Sequence, residues 1–264
     1  FEQNYIFAFY TLMLGLFPNL SNYIKIRFFP KKAEKFFLKL MQDSIELRKS
    51  QKEQGVNESR VDFLNYILQL QEKKELSTLD LAAHTMTFLS DGFETTGSVL
   101  SHALLLLGRD LERQQKLRQE ISDEIGDNSD FDSLMDLPYL DACIHETIRL
   151  FPPGFFSNKL CTEPIELINK NGKTLHLPKN TVVVLPLHPI MVDGDYYTNP
   201  NNFEPERFLE ENGGIKKYKD LGVYYGFGEG PRACLGMRFA LAQLKSALVE
   251  IIRKFEVRVN PKTR

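Results

Sequence analysis

The stretch Phe227-Gly228-Glu229-Gly230-Pro231-Arg232-Ala233-Cys234-Leu235-Gly236 constrains this chain more than any other. It sets one cysteine in a glycine-rich loop, directly before an apolar pattern at helical spacing from Leu235 to Phe255. Gly226, Gly228 and Gly230 open backbone conformations closed to other residues and let a flat ligand approach closely. Cys234 falls at or just before a helix N-terminus, where free amide N–H groups and the helix dipole favour an anionic sulfur. Arg232 adds positive charge two residues earlier. The loop is built to hold a thiolate facing something metal-like. Two other readings stand beside this one. A phosphate loop fails on spacing, since Gly226-x-Gly228-x-Gly230-Pro231 contains neither G-x-G-x-x-G nor G-K-[ST]. An inert buried thiol, the usual state of a single cysteine, stays open on the loop alone.

A chain of 264 residues can bury a large core and form one big domain or two. Its net charge of −2 gives no reason to expect nucleic acid as a partner. The three cysteines, Cys143, Cys161 and Cys234, argue against a disulfide scaffold and fit a reducing compartment. The longest apolar run, Tyr5 to Phe17, falls short of the about 20 residues that a bilayer span takes. With no initial Met and no signal peptide, the chain reads as beginning inside a domain.

Residues 23–40 mix Lys25, Arg27, Lys31, Lys32, Lys35 and Lys39 with Phe28, Phe29, Phe36 and Phe37. Such a stretch suits an anionic membrane surface, or equally a solvated helix with an aromatic stripe. Residues 50–60 read as a loop around Gly55, and 61–70 as a short helix. Ser77-Thr78-Leu79-Asp80 resembles a capping box and opens a helix to about Gly108, about 45 Å long at 1.5 Å per residue. Within it, Gly92 and the pair Thr95-Thr96 are poor helix chemistry. They mark either a distortion that opens a groove or a tolerated weak spot. A charged amphipathic helix follows over 109–126, and Pro138 opens another to about Phe151. Residues 165–177 read as a hairpin turning at Asn171-Gly172, and Val182 to Leu185 as a short buried strand. The fold class is mainly α with a small β part.

His145-Glu146-Thr147-Ile148-Arg149 misses the zinc pattern H-E-x-x-H at its last position. Glu146 and Arg149 share a helix face and can pair, an arrangement usually worth little at a surface. The five histidines form no metal cluster along the sequence.

Phe227-x-x-Gly230-x-Arg232-x-Cys234-x-Gly236 resembles the haem-binding signature of the cytochrome P450 family, of the microsomal, insect-like type. Three further motifs stand in that family's order. Gly92-x-Glu94-Thr95-Thr96 resembles its oxygen-binding motif, Glu146-x-x-Arg149 its structural pair, and Pro205-Glu206-Arg207-Phe208 the segment completing that pair. The resemblance implies a cytochrome P450 fold truncated at both ends, with residues 1–264 part of a single catalytic domain. The family's N-terminal membrane anchor, its Trp-x-x-x-Arg haem contact and its final strands would then lie outside the chain, which contains no Trp.

The resemblance also implies roles. Haem b (iron protoporphyrin IX) takes Cys234 as its axial iron ligand, pairs a propionate with Arg232, and contacts Phe227, Gly228 and Gly236. No C-x-x-C-H indicates covalent attachment. Gly92 makes room for dioxygen, while Glu94 and Thr95 are catalytic and deliver protons. Glu146, Arg149 and Arg207 form a structural network, and Phe93, Phe155 and Phe156 face substrate. Asp91 departs from the family's usual Ala or Gly, and Met191 stands where relatives often place His. The implied activity is a haem-thiolate monooxygenase acting on a lipophilic xenobiotic, lipid or hormone. Electrons come from NADPH through NADPH–cytochrome P450 reductase, with cytochrome b5 as a further partner. Lys216, Lys217, Lys219, Arg238 and Lys245 are candidates for the basic dock. The implied location is the cytoplasmic face of the endoplasmic reticulum membrane. Two alternatives differ in kind: a fragment unable to bind haem, and a reductase-independent peroxide isomerase. The presence of Thr95 counts against the second.

Overall fold

The computed structural model describes Phe9, Met13 and residues 30–54, 62–126 and 131–263. The basic, aromatic positions 23–29 and most of the apolar run over 5–17 lie outside the described residues. No described helix is long and apolar enough to cross a membrane. The chain divides into two units, Phe1–Ser90 and Asp91–Arg264.

The first unit holds α1 (Lys31–Glu53), α2 (Phe63–Lys74) and the opening turns of α3 (Thr78–Arg109). Helix α1 continues through Ser50 to Glu53, where the sequence suggests a loop. Nothing in Ser-Gln-Lys-Glu breaks a helix, and the first breaker is Gly55. Asp62 caps α2 by accepting from Asn65 N at 2.8 Å, and Arg48 Nη2 fixes that carboxylate at 2.6 Å. At the start of α3, Asp80 N donates to Ser77 Oγ at 3.2 Å and Ser77 N donates to Asp80 Oδ2 at 2.9 Å. This is a reciprocal capping box with Asp in the usual place of Glu. The Ser77 hydroxyl, followed by its amide, holds the Asp80 carboxyl below the usual carboxylate range. Met41, Ile67, Leu81 and Ala82 form the core of this unit, flanked by Phe63 stacked on Phe88 at 4.0 Å.

The second unit contains the rest of α3, then α4 (Leu111–Glu124), α5 (Phe131–Met135) and α6 (Pro138–Leu150). Strands β1 (Ser157–Leu160), β2 (Ile165–Ile168), β3 (Thr174–Leu177) and β4 (Val182–Leu185) follow, then α7 (Leu187–Met191), α8 (Gly214–Asp220) and α9 (Met237–Lys254). One apolar stripe per helix makes the main core: Ala103 and Leu107, Leu117 and Ile121, Leu140, Ile144 and Ile148, Leu244, Leu248 and Ile252. Each set recurs every four residues, so each helix turns a single face inward. Helix α6 starts where Glu120 accepts from the amides of Tyr139 and Leu140 at 2.6 and 2.8 Å, behind Pro138 in the first turn. The architecture is mainly α with a small β part.

The β part is two antiparallel pairs. β1 runs against β4 from Ser157↔Leu185 to Leu160↔Val182, and β2 against β3 from Ile165↔Leu177 to Ile168↔Thr174. The β2–β3 turn is longer than a two-residue Asn-Gly loop. Gly172, at φ +75°, donates its amide to Asn169 O at 2.9 Å, and Asn169 Oδ1 accepts from the amides of Asn171 and Lys173. β4 forms but is not buried: Val182 and Val184 are 59% and 56% exposed. It pairs with β1 alone, and exposed residues alternate with half-buried ones along it. Helix α8 starts at Gly214, behind Gly213 in the capping position, both at positive φ.

Gln114 ties the C-terminal segment to this core. Its Nε2 donates to Leu107 O and Val257 O at 3.0 and 2.9 Å, while its Oε1 accepts from Val257 N at 2.9 Å. Gln114 therefore acts as one rung of a strand. We predict that Gln114→Leu, close in size, lowers the unfolding free energy by about 2 kcal/mol, because the Val257 amide and carbonyl lose their partner. Urea unfolding checks this, and an unchanged midpoint contradicts it.

Candidate functional site

One carboxylate anchors the site. Glu146, on α6, is wholly buried. Arg149, one turn on, donates to it twice, Nε to Oε2 at 2.7 Å and Nη2 to Oε1 at 2.8 Å. Arg207 Nε and Glu204 N also donate to Oε1, at 3.1 and 2.9 Å. Arg149 further donates to the carbonyls of Met191, Pro200 and Asn202 at 2.8, 2.7 and 3.2 Å. Arg207 Nη2 donates to Thr198 O at 3.1 Å and to Glu204 Oε2 at 3.0 Å. Burial alone would lower the pKa of Arg207, but the Glu146 carboxylate, with Tyr218 and Glu204, outweighs it and the pKa is raised. The Glu146–Arg149 pair is thus not a weak surface bridge. It is a buried, hydrogen-bonded ion network that fastens α6 to the irregular chain over 191–207.

The cysteine loop rests on the other side of α6. Gly226 must lack a side chain, since a Cβ there would lie 2.3 Å from Tyr224 Oη and 2.8 Å from Ile148 Cγ2. Gly228 and Gly230 take φ of +68° and +72°, which disfavours other residues. Gly228 N donates to Tyr225 O at 3.0 Å, Ala233 N to Gly230 O at 3.1 Å, and Cys234 N to Phe227 O at 2.8 Å. Phe227 packs against the main core, so the carbonyl that holds the Cys234 amide is fixed from behind. Helix α9 begins at Met237, with Gly236 in the capping position.

On the open side, Arg232, Cys234 and Leu235 are exposed, and Leu235 is fully so, at 102%. A Cβ placed on Gly230 or Gly236 would meet no atom within 4 Å. A soft thiol, a guanidinium and an apolar side chain are thus all exposed on one loop. This donor set fits a flat apolar group that carries carboxylates and an iron seeking a sulfur ligand. Cys143 makes the contrast: it is wholly buried in the main core, and burial pushes its thiol well above the usual range. Among the described residues, no group of three or more His, Cys, Asp and Glu is arranged to hold a metal ion.

Helix α3 passes through Gly92 without interruption. The Thr95 hydroxyl donates back to the Asp91 carbonyl, which accommodates the weak stretch without a break. Thr96 Oγ1 is buried without a hydrogen-bond partner among the described residues. Asp91, Glu94 and Thr95 are exposed, as is Phe93, at 84%. Phe155 and Phe156 are exposed too, and the Phe155 ring stands edge-on to His188 at 5.7 Å. Among the described residues, no hydrogen bond or ring contact joins Phe93, Glu94, Thr95, Phe155 or Phe156 to the cysteine loop. The structure joins Glu146, Arg149 and Arg207 to the cysteine loop with Phe227, Gly228, Arg232, Cys234 and Gly236, and leaves Phe93, Glu94, Thr95, Phe155 and Phe156 exposed.

The basic dock needs correction. Lys245 is 1% exposed, donates to Met135 O at 2.6 Å and pairs with Asp141 at 2.9 Å. It follows Leu244 on the inward face of α9, and its ammonium reaches the end of α5. It belongs to no surface patch. Lys216 pairs with Asp220, and Lys217 lies over the Tyr218 ring at 5.3 Å.

Two features carry no sequence signal. Glu206 accepts from Arg113 Nε, Lys116 Nζ and Tyr139 Oη at 3.2, 3.2 and 3.0 Å, linking partners 67 to 93 positions away. His145 Nδ1 lies 2.8 Å from Tyr224 Oη, 79 positions apart. Burial, followed by the charges of Lys219 and Lys245, pushes the His145 imidazole down to about 3.

We predict that Glu146→Gln lowers stability by about 3 kcal/mol or more, because it leaves two guanidinium groups around an uncharged amide. Equilibrium unfolding measures this, and a change under about 1 kcal/mol contradicts it. For His145, the unfolded chain takes up a proton below about 6.5 that the native imidazole refuses until about 3. Stability therefore falls as pH drops through that window, and the full contribution is present above it. In His145→Asn the pH slope of stability should shrink by up to one proton there, and an unchanged slope contradicts the assignment.

The family model for cytochrome P450 matches residues 2–264. Probable cytochrome P450 28a5 of Drosophila melanogaster is 51% identical over 265 residues, covering 100% of this chain and 52% of its own length. Probable cytochrome P450 28d1 of the same organism is 49% identical over 264 residues, covering 100% and 51%. Human cytochrome P450 3A5 is 35% identical over 255 residues, covering 92% and 48%. The chain spans about half the length of these curated relatives. With a family match running along nearly all its length and a cysteine loop set on a buried Glu-x-x-Arg network, this chain belongs to the cytochrome P450 family.

Proposed function

We propose that this chain serves a haem-thiolate monooxygenase that inserts one atom of dioxygen into a lipophilic organic substrate. The observation that carries this reading is Cys234, exposed on a loop whose backbone is locked from behind by Phe227 and Gly226. When bound, the haem supplies an iron whose thiolate ligand pushes electron density toward O–O cleavage. Cys234 is the sulfur ligand, and Arg232 offers its guanidinium to a propionate. Phe227 and Leu235 form apolar wall, while Gly228 and Gly236 permit close approach. In this reading residues 1–264 are part of a single catalytic domain.

The protons come from α3. Glu94 is exposed and exchanges protons with solvent. Thr95 holds one at Oγ1, which in this structure is given to the Asp91 carbonyl and is free to be redirected. Phe93, Phe155 and Phe156 present apolar surface suited to a lipophilic substrate. Membership of the family supports a redox partner in general; in this reading electrons come from NADPH through NADPH–cytochrome P450 reductase, with cytochrome b5 as a second donor. The dock would use Lys216, Lys217, Lys219 and Arg238, without Lys245. The endoplasmic reticulum membrane, on its cytoplasmic face, is the proposed location.

The test is turnover of an alkoxyarene probe by haem-loaded protein with reductase and NADPH. We expect product only when both are present. Thr95→Ala should lower product per NADPH by about tenfold or more, with the lost electrons appearing as peroxide, and Thr95→Ser should retain coupling. Product formed from organic peroxide alone, with none from NADPH, contradicts the reading.

A further inference from the structure

We propose that His145 and Tyr224 are positioning residues for the cysteine loop, joined so that α6 sets the place of the Cys234 amide. The claim rests on the haem-thiolate reading for its purpose and on geometry for its content. His145 directly precedes Glu146, so its backbone is held by the buried ion network. Its Nδ1 lies 2.8 Å from Tyr224 Oη, while the same hydroxyl stands 3.5 Å from the His145 carbonyl. The hydroxyl pairs with Nδ1 in either imidazole tautomer, and the His145 carbonyl is a second acceptor within its reach. The imidazole is ringed by aromatics, edge-on to Tyr224 and Phe227 with centroids 5.7 and 6.1 Å away, and tilted to Phe208 at 6.2 Å.

Tyr224 is buried, and its hydroxyl fills the space a Cβ on Gly226 would need. Gly226 leads directly into Phe227, whose carbonyl accepts from the Cys234 amide at 2.8 Å. An unbroken series of contacts thus runs from Glu146 through His145, Tyr224, Gly226 and Phe227 to Cys234. Removing the hydroxyl or the imidazole frees the loop root without substituting any residue that would contact haem.

The test uses the full chain, both free of haem and loaded with it. Tyr224→Phe removes the hydroxyl and keeps the ring. His145→Leu removes the ring nitrogen, and His145→Asn restores a polar amide near the place of Nδ1. In haem-free protein, Tyr224→Phe and His145→Leu should speed amide hydrogen exchange at Cys234 by about tenfold, with α9 unchanged, and His145→Asn should recover most of the protection. In loaded protein the same two variants should release haem to an acceptor globin faster, again with recovery in His145→Asn. Wild-type exchange at Cys234 in Tyr224→Phe overturns the proposal, as does a uniform rise across α6 and α9, which marks general destabilisation. A wild-type chain that takes up no haem defeats the proposed function, and the exchange rates then decide the positioning claim alone.

Discussion

The buried carboxylate of Glu146 is the interaction on which the second unit depends. A lone charge in that place would be prohibitive, so the fold surrounds it with two guanidinium groups and one backbone amide. Those guanidinium groups then have donors to spare. They spend them on the carbonyls of Met191, Thr198, Pro200 and Asn202, a stretch whose helical content is slight and whose backbone groups would otherwise lack partners. One side chain thus orders a long irregular segment that hydrophobic burial alone would leave loose. The same helix turn carries His145 and Ile148 toward the cysteine loop, so the charge network and the loop share one support.

Rigidity and openness divide across the loop. Behind it lie Phe227, Tyr224 and the aligned stripes of α3, α4, α6 and α9. In front lie Arg232, Cys234 and Leu235, all exposed. That division is what a ligand site requires. A sulfur on a mobile loop would give no fixed geometry, and a sulfur in the core, like Cys143, stays a protonated thiol.

Much of this was legible in the sequence, for physical reasons that differ by element. Helices α3 and α6 announce themselves through capping chemistry, Ser77 with Asp80 and Pro138 in a first turn, and through four-residue apolar spacing. The glycine pattern over 226–236 is readable because positive φ and close approach exclude other residues. Burial was less legible. Val182-Val183-Val184-Leu185 looks like core by composition, yet strand exposure is set by what packs on the sheet, which no local pattern encodes. Lys245 looks like surface by charge, yet its place on the α9 stripe puts it inside. His145 with Tyr224, and Gln114 with Val257, are tertiary contacts between residues that carry no local mark.

The central claim is that Cys234 ligates haem iron as a thiolate, and the absorption spectrum of the ferrous carbon monoxide complex tests it most directly. The measurement compares wild-type protein with Cys234→His after haem loading. The account predicts a red-shifted Soret band in wild type that disappears in the variant while haem stays bound. A wild-type protein that holds haem without that band, or a variant that keeps it, would contradict the account.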